Sequence, residues 1–350
     1  MLQKNLQISI IIAVYQRFDE LNELLESLVQ QTDADFEVVV VDDGSPEKLE
    51  YLAEKFKSNL NLKYFYKSNS GPAKSRNFGM ERASGNYFIF LDSDTIAPKN
   101  YIETVRKELH TNYVDAFGGP DAADESFSAL QKAISFSMTS FLTTGGIRGG
   151  KKHIGKFQPR SFNMGISRKA FEATGGFGNM RIGEDPDLSM TLWENGFETR
   201  LFPKAKVFHK RRTSLKKFAK QVYQFGVARP ILNQRHPKYI KLTFWFPSLF
   251  IIGYIISIFL AFLPLFTPIS HQDWFFLPLG FYIFYFILIF YFALIKTNSM
   301  LAARMAGYIV IIQFAAYGFG FLKSWIFLNI FRMKPEKAFR DIFKYDNCHF

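Results

Sequence analysis

The sequence predicts an α/β domain on a mostly parallel sheet, followed by an α-helical membrane region. Two observations carry this. Short apolar runs at 8–14, 36–41 and 87–91 each end in a polar or acidic residue, and near-continuous apolar runs of that length suit strands buried on both faces. Beyond residue 241 the mixture of charged and apolar residues gives way to long, Phe-rich apolar stretches.

Between the first two runs, Leu21, Leu24, Leu25 and Leu28 recur at helical spacing over 19–31, behind Asp19 as an expected cap. Ser45-Pro46 reads as a cap with proline at the first helical position, so a second helix should start there. Strand, helix, strand, helix places ligands at the carboxyl ends of the strands. Farther on, Phe127, Leu130, Ile134 and Phe141 suggest an amphipathic helix over 126–142, and 143–158, rich in Gly and Lys, should be a mobile loop. A strand is expected at 205–208. Met190, Trp193 and Phe197 lie at helical spacing and read as core.

The stretches 243–266 and 274–295 are long enough to cross a bilayer core, and a third, 304–330, is interrupted by Gln313 and Lys323. Its Gly307, Gly318 and Gly320 would let helices approach closely. The chain therefore divides into a catalytic-type domain at 1–202, a basic membrane-facing segment at 203–241, membrane helices at 242–331 and a basic tail at 332–350.

The net charge of +12 is concentrated: residues 199–241 hold thirteen Lys or Arg and no acid, and the remaining 30 basic and 31 acidic residues nearly cancel. A basic block leading into membrane-type sequence reads as a surface held against anionic headgroups, and this disfavours nucleic-acid binding. The same block predicts that the N-terminal domain is cytosolic, on an integral protein of the inner or plasma membrane. The loop 267–273 lacks Lys and Arg, as an outside loop should, yet three spans would put Arg332, Lys334, Lys337, Arg340 and Lys344 outside, against the same rule. The single cysteine, Cys348, excludes an intramolecular disulfide, and no signal peptide is expected from the short run at 8–14.

Four clusters carry chemistry. Asp92-Ser93-Asp94 ends the third run, and two carboxylates two residues apart on a turn can jointly hold a hard divalent cation, Mn²⁺ or Mg²⁺. Asp42-Asp43 ends the second run, where a carboxylate could accept from a nucleobase or ribose, or simply order a turn. Gly71-Pro-Ala-Lys-Ser-Arg76 opens a helix whose N–H groups and cations suit a nucleotide phosphate. Gly183-Glu184-Asp185-Pro186 offers Asp185 either as a general base or as a helix cap, with a pKa held down by the helix N-terminus.

Together with IIIAVYQR at 10–17, VVVDDGS at 39–45, GPAKSRNFG at 71–79, ASGNYFIFLDSDT at 83–95, FNMGISRKAFEATGGF at 162–177 and GEDPDL at 183–188, these resemble family 2 glycosyltransferases with the GT-A (Rossmann-like) fold, over about residues 8–230. The resemblance implies an inverting, metal-dependent hexosyltransferase using a nucleotide-diphosphate sugar, UDP being the commoner donor. It implies nucleotide contacts at Ala13, Tyr15, Arg17, Asp42 or Asp43, Arg76 and Asp92, metal at Asp94 with Asp92, and Asp185 as base. It points to His209 on the metal or diphosphate, though a surface histidine fits as well. Processive members carry Q-x-x-R-W; the corresponding region here, Gln221 to Arg229, lacks it, so the chain is similar to non-processive members. The expected acceptor is lipid-linked or a glycan, in cell-envelope polysaccharide or glycolipid synthesis. One rival is transfer onto polyprenyl phosphate, with Arg211 and Arg212 binding the acceptor phosphate; another is an inactive assembly subunit of an export complex.

Overall fold

The computed structural model describes residues 6–122, 127–145, 156–209, 214–265 and 272–343, which fall into two compact units. The first comprises 1–124, 155–210 and 340–350, and the second 125–154 and 211–339.

The chain runs β1 (Ile8–Val14), α1 (Phe18–Val29), β2 (Phe36–Asp42), α2 (Glu50–Phe56), β3 (Asn61–Tyr66), α3 (Pro72–Arg82), β4 (Tyr87–Leu91), β5 (Thr95–Ile96), α4 (Tyr101–Thr111), β6 (Ala116–Gly118) and β7 (Asp121–Ala122). After α5 (Ala129–Thr139) and α6 (Phe141–Thr144) it continues through β8 (Asn163–Ser167), α7 (Arg168–Thr174), α8 (Glu184–Glu194), β9 (Thr199–Leu201) and β10 (Val207–His209). In the first unit seven strands form a sheet ordered β3-β2-β1-β4-β8-β6-β9, with β8 antiparallel to its neighbours and the other pairs parallel. A small sheet pairs β5, β10 and β7. The architecture is the mostly parallel α/β sheet that the apolar runs predict, in the GT-A arrangement that the resemblance implies.

Those runs are continuous because both faces are covered. Ile8, Ile10, Ile12, Val38, Val40 and Ile89 pack with the leucines of α1 on one face, and Ile11, Val39, Val41, Phe88 and Phe90 pack with Met80, Leu188 and Leu192 on the other. Strand order reverses between β1 and β4, so the crevice at their carboxyl ends lies beside Asp42 and Asp92. Met190 and Trp193 are buried as expected.

Several boundaries differ from expectation. Helix α1 starts one residue before Asp19, behind Arg17 and without a side-chain cap. Helix α2 starts at Glu50, because the N–H groups of Ser45 and Leu49 are drawn to the Asp42 carboxylate at 2.9 and 3.2 Å instead of opening a helix at Ser45. Strand β3 is a half-exposed edge strand, too polar to register as a buried run. Helix α5 begins behind a Ser128–Gln131 capping box and breaks at Ser140, which caps α6. Within the expected loop at 143–158, residues 146–155 lie outside the described residues.

The second unit adds α9 (Leu215–Arg235), α10 (Phe246–Phe262), α11 (Leu277–Thr297) and α12 (Met300–Trp325) to α5 and α6. Three helical stretches, Leu242–Phe262, Trp274–Thr297 and Met300–Ile330, are long and apolar enough to cross a membrane. Glycines set how closely α9 and α12 approach: a Cβ on Gly226 would sit 2.2 Å from the Tyr317 carbonyl oxygen, and one on Gly320 would sit 2.4 Å from that of Tyr223. Helix α5 joins them through Ala133 and Ile134 against Phe218, Val222, Ala302 and Ile309. Residues 340–342 return to the first unit, where the Ile342 carbonyl accepts from the Arg181 and Ile182 N–H groups at 2.7 and 3.4 Å.

Candidate active site

At the end of β1 the chain turns sharply: Gln16 adopts a positive φ of 54°, and its N–H donates to the Ser45 hydroxyl at 3.0 Å. A non-glycine residue in that region stores strain and signals a site that the surroundings over-determine. The turn delivers Arg17, whose Nη1 lies 2.8 Å from Asp94 Oδ2. Ala13 and Tyr15, on either side of buried Val14, are partly exposed at the same strand end.

Asp42 is wholly buried; besides the two N–H groups named above, its carboxylate accepts from the Tyr64 hydroxyl at 2.7 Å. Burial and this bond to Asp42 push the Tyr64 phenol up. Asp43 Oδ1 accepts from Lys67 Nζ and the Ser70 N–H at 2.7 and 2.9 Å, and its Oδ2 accepts from the Gly71 N–H at 2.7 Å. Both aspartates order the turns around the strand end. Asp43 fixes the start of α3, where Gly71 takes a φ of 92° that side chains rarely adopt.

Helix α3 carries Arg76 into the crevice, where it is 5% exposed. Its Nη2 lies 2.7 Å from Asp92 Oδ1, its guanidinium stands 5.3 Å from the Phe177 ring centroid, and its Nη1 is buried with no hydrogen-bond partner. The DXD carboxylates, expected to share a cation, each pair with an arginine, Asp92 with Arg76 and Asp94 with Arg17. Among the described residues no group of three or more His, Cys, Asp or Glu is arranged to hold a metal. His209 pairs through its backbone with Thr95 in the small sheet, while Arg211 and Arg212 lie outside the described residues.

Asp185 is not the cap of α8. That place belongs to Gly183 at φ 90°, and the Asp187 N–H donates to the Gly183 carbonyl at 3.0 Å, which leaves Asp185 inside the first turn. Its carboxyl is raised rather than lowered, since burial outweighs the Arg76 charge and the hydrogen bonds from Ser161. Its Oδ1 is buried and has no partner. Glu184 is pushed up to about 8, first by burial and then by the charge of Asp185. Arg76 is thus under the charge of carboxyl groups from two segments, Asp92 at the end of β4, which it contacts, and Glu184 and Asp185 at the start of α8. Sequence reasoning passed over Glu184, Ser161 and Lys67. Only Glu184 left a signal, as the acid beside the chosen base.

Residues 9–175 match Glycosyl transferase family 2. The chain carries a family 2 glycosyltransferase domain. The chain is 38% identical over 109 residues to an uncharacterized glycosyltransferase of Rickettsia bellii, covering 31% of this chain and 16% of that protein. It is 32% identical over 114 residues to a poly(ribitol-phosphate) beta-N-acetylglucosaminyltransferase of Staphylococcus aureus, covering 31% of this chain and 20% of that enzyme. The chain therefore spans a fifth or less of the length of these relatives. Among solved structures, a mannosyltransferase from Pyrobaculum calidifontis in complex with GDP-Man and Mn²⁺ superposes with a TM-score of 0.56 at 15% identity, covering 91% of this chain and 86% of that one. At that identity the likeness speaks for the glycosyltransferase's fold alone.

Proposed function

We propose that the protein is an inverting glycosyltransferase of the non-processive type, moving a sugar from a nucleotide-diphosphate donor to an acceptor hydroxyl at a membrane surface. The convergence of Asp92, Glu184 and Asp185 on the buried Arg76 is the observation that carries this reading. It joins a diphosphate-type cation to a carboxylate of raised pKa, the two groups that a single displacement at an anomeric carbon needs. Asp185 takes the acceptor proton as the hydroxyl oxygen attacks, and the bond to the nucleoside diphosphate breaks on the opposite face. Burial makes Asp185 a stronger base than a solvated carboxylate, and the Ser161 hydrogen bonds orient it. Arg76 and Arg17 balance charge on the leaving diphosphate, and Asp43 and Lys67 keep the start of α3 in place for it.

The donor set suits a hard cation. Asp92 and Asp94 supply carboxylate oxygens but too few to fill the coordination of Mn²⁺ or Mg²⁺, so diphosphate and water oxygens would complete it. Such an ion would neutralise the charge that develops on the diphosphate. The three long apolar helices and the basic segment support attachment to the inner or plasma membrane with the domain cytosolic, and hence a lipid-linked or glycan acceptor.

Asp185→Asn tests the base without touching the helix cap. The variant should fold and bind donor normally while transfer slows by at least about 10²-fold. Near-normal turnover would refute the assignment. An inactive assembly subunit would instead gain no thermal protection from any nucleoside diphosphate.

A further inference from the structure

Asp185 is reached through a loop with no regular structure of its own, since residues 175–183, between α7 and α8, form neither helix nor strand. Its backbone is fixed from outside. At the start of the loop, Asn77 of α3 accepts from the Phe177 N–H at 2.9 Å and donates to the Phe177 and Gly175 carbonyls at 2.8 and 3.3 Å. Farther along, Met180 is buried. At the other end the anchor comes from a distant part of the chain: the Arg181 and Ile182 N–H groups both donate to the Ile342 carbonyl, at 2.7 and 3.4 Å. The Ile342 side chain is 2% exposed, and the Phe343 N–H closes a turn by donating to the Arg340 carbonyl at 2.9 Å. This second anchor lies directly before Gly183, whose φ of 90° leads into the first turn of α8. Glycine at such a φ is a natural swivel. Leu188 and Leu192 hold the body of α8 in the core, whereas the turn bearing Asp185 takes its position from the backbone that enters it.

We infer that Ile342 is a positioning residue for sugar transfer: by docking the 340–343 turn it fixes Arg181 and Ile182, and through them the Asp185 carboxylate. The inference rests on the reading of Asp185 as the general base. Proton removal from an attacking hydroxyl needs the base within hydrogen-bond reach, and a misplacement of about 1 Å can cost about 10²-fold in rate. The donor-side groups are held separately, Asp42 and Asp43 by the turns after β2 and β3 and Arg76 by its pair with Asp92. Undocking the turn therefore slows the chemical step and leaves donor affinity in place.

The test uses the full chain in detergent, with docking read by amide hydrogen exchange at Arg181 and Ile182. Turnover is read as nucleotide release from whichever UDP- or GDP-sugar wild type consumes fastest. In wild type both amides should exchange at least about 10-fold more slowly than in an unstructured peptide. Ile342→Asp, which sets a charge in a buried place, should release them and lower kcat at least about 10-fold, with the donor KM within about 3-fold. Ile342→Val should keep both protection and turnover. Ile342→Ala, which adds no charge, repeats the measurement if the Asp variant folds poorly. In the Asp185→Asn background the Ile342→Asp change should cost less than about 3-fold more, because it acts through the carboxylate already lost. An equal loss in both backgrounds would show a general structural role and overturn the inference. Unprotected amides in wild type, or released amides with unchanged kcat, would also overturn it. Normal turnover by Asp185→Asn would remove the base reading and this inference with it, whereas a slow Asp185→Asn beside a normal Ile342→Asp overturns this inference alone.

Discussion

Replacing Glu184 by Gln removes an ionisable group that the fold holds mostly neutral at pH 7. Its carboxyl moves from an ordinary 4.5 to about 8, so the native protein binds a proton more tightly than the unfolded chain does. Stability from this source is fully present below about pH 4.5 and is lost as pH rises through about 8, at about 1.4 kcal/mol per unit between them. From pH 6 to 8 the loss is about 2 kcal/mol, because the slope halves by the folded pKa, or roughly 4 °C in Tm at about 2 °C per kcal/mol for a protein of this size. Gln is isosteric and cannot ionise. Differential scanning fluorimetry of the full chain in detergent should therefore show wild-type Tm falling below that of Glu184→Gln as pH rises from 6 to 9. At pH 7 the variant should keep activity within about 3-fold, because wild type is then about nine-tenths protonated. In the Asp185→Asn background the pH dependence should shrink, since the Asp185 charge is the second largest cause of the shift. Parallel Tm curves for wild type and Glu184→Gln would refute the reasoning.

Asp94→Ala should abolish transfer and metal-dependent donor binding and should free Arg17 from its 2.8 Å pair; normal activity of this variant in EDTA would remove the metal role. Gly320→Leu places a Cβ 2.4 Å from the Tyr223 carbonyl oxygen, a backbone atom that cannot swing aside. It should destabilise the α9–α12 packing by about 2–3 kcal/mol, read as a lower Tm in detergent, whereas Gly280→Leu, with open space around it, should be neutral. A reporter fused after Phe350 should lie on the same side of the membrane as the N-terminal domain, because Ile342 is hydrogen-bonded to Arg181 and Ile182. With α10 and α11 crossing, α12 then does not; it is also the candidate most buried by the rest of the protein, at 44% of its apolar window against 17% and 11%. A reporter signal from the opposite side would establish three crossings.

The sequence by itself determined the three central strands, because residues buried on both faces must be apolar at every position, and 8–14 and 87–91 coincide with β1 and β4. It also determined the acidic strand ends, the motif order and the three apolar helices, since composition alone decides what can sit in hydrocarbon. Local signals failed where a distant group took over a backbone donor. Ser45-Pro46 reads as a helix start, yet Asp42 captures the nearby N–H groups. Asp185 reads as a cap, yet Gly183 at positive φ does that work. Only the tertiary structure decided that Asp92 and Asp94 each face an arginine, and that Glu184 and Asp185 share Arg76 with a strand end about ninety residues away in sequence. Pairing and burial depend on which segments the sheet order brings together, and desolvation then reverses the pKa direction that the helix N-terminus alone would set.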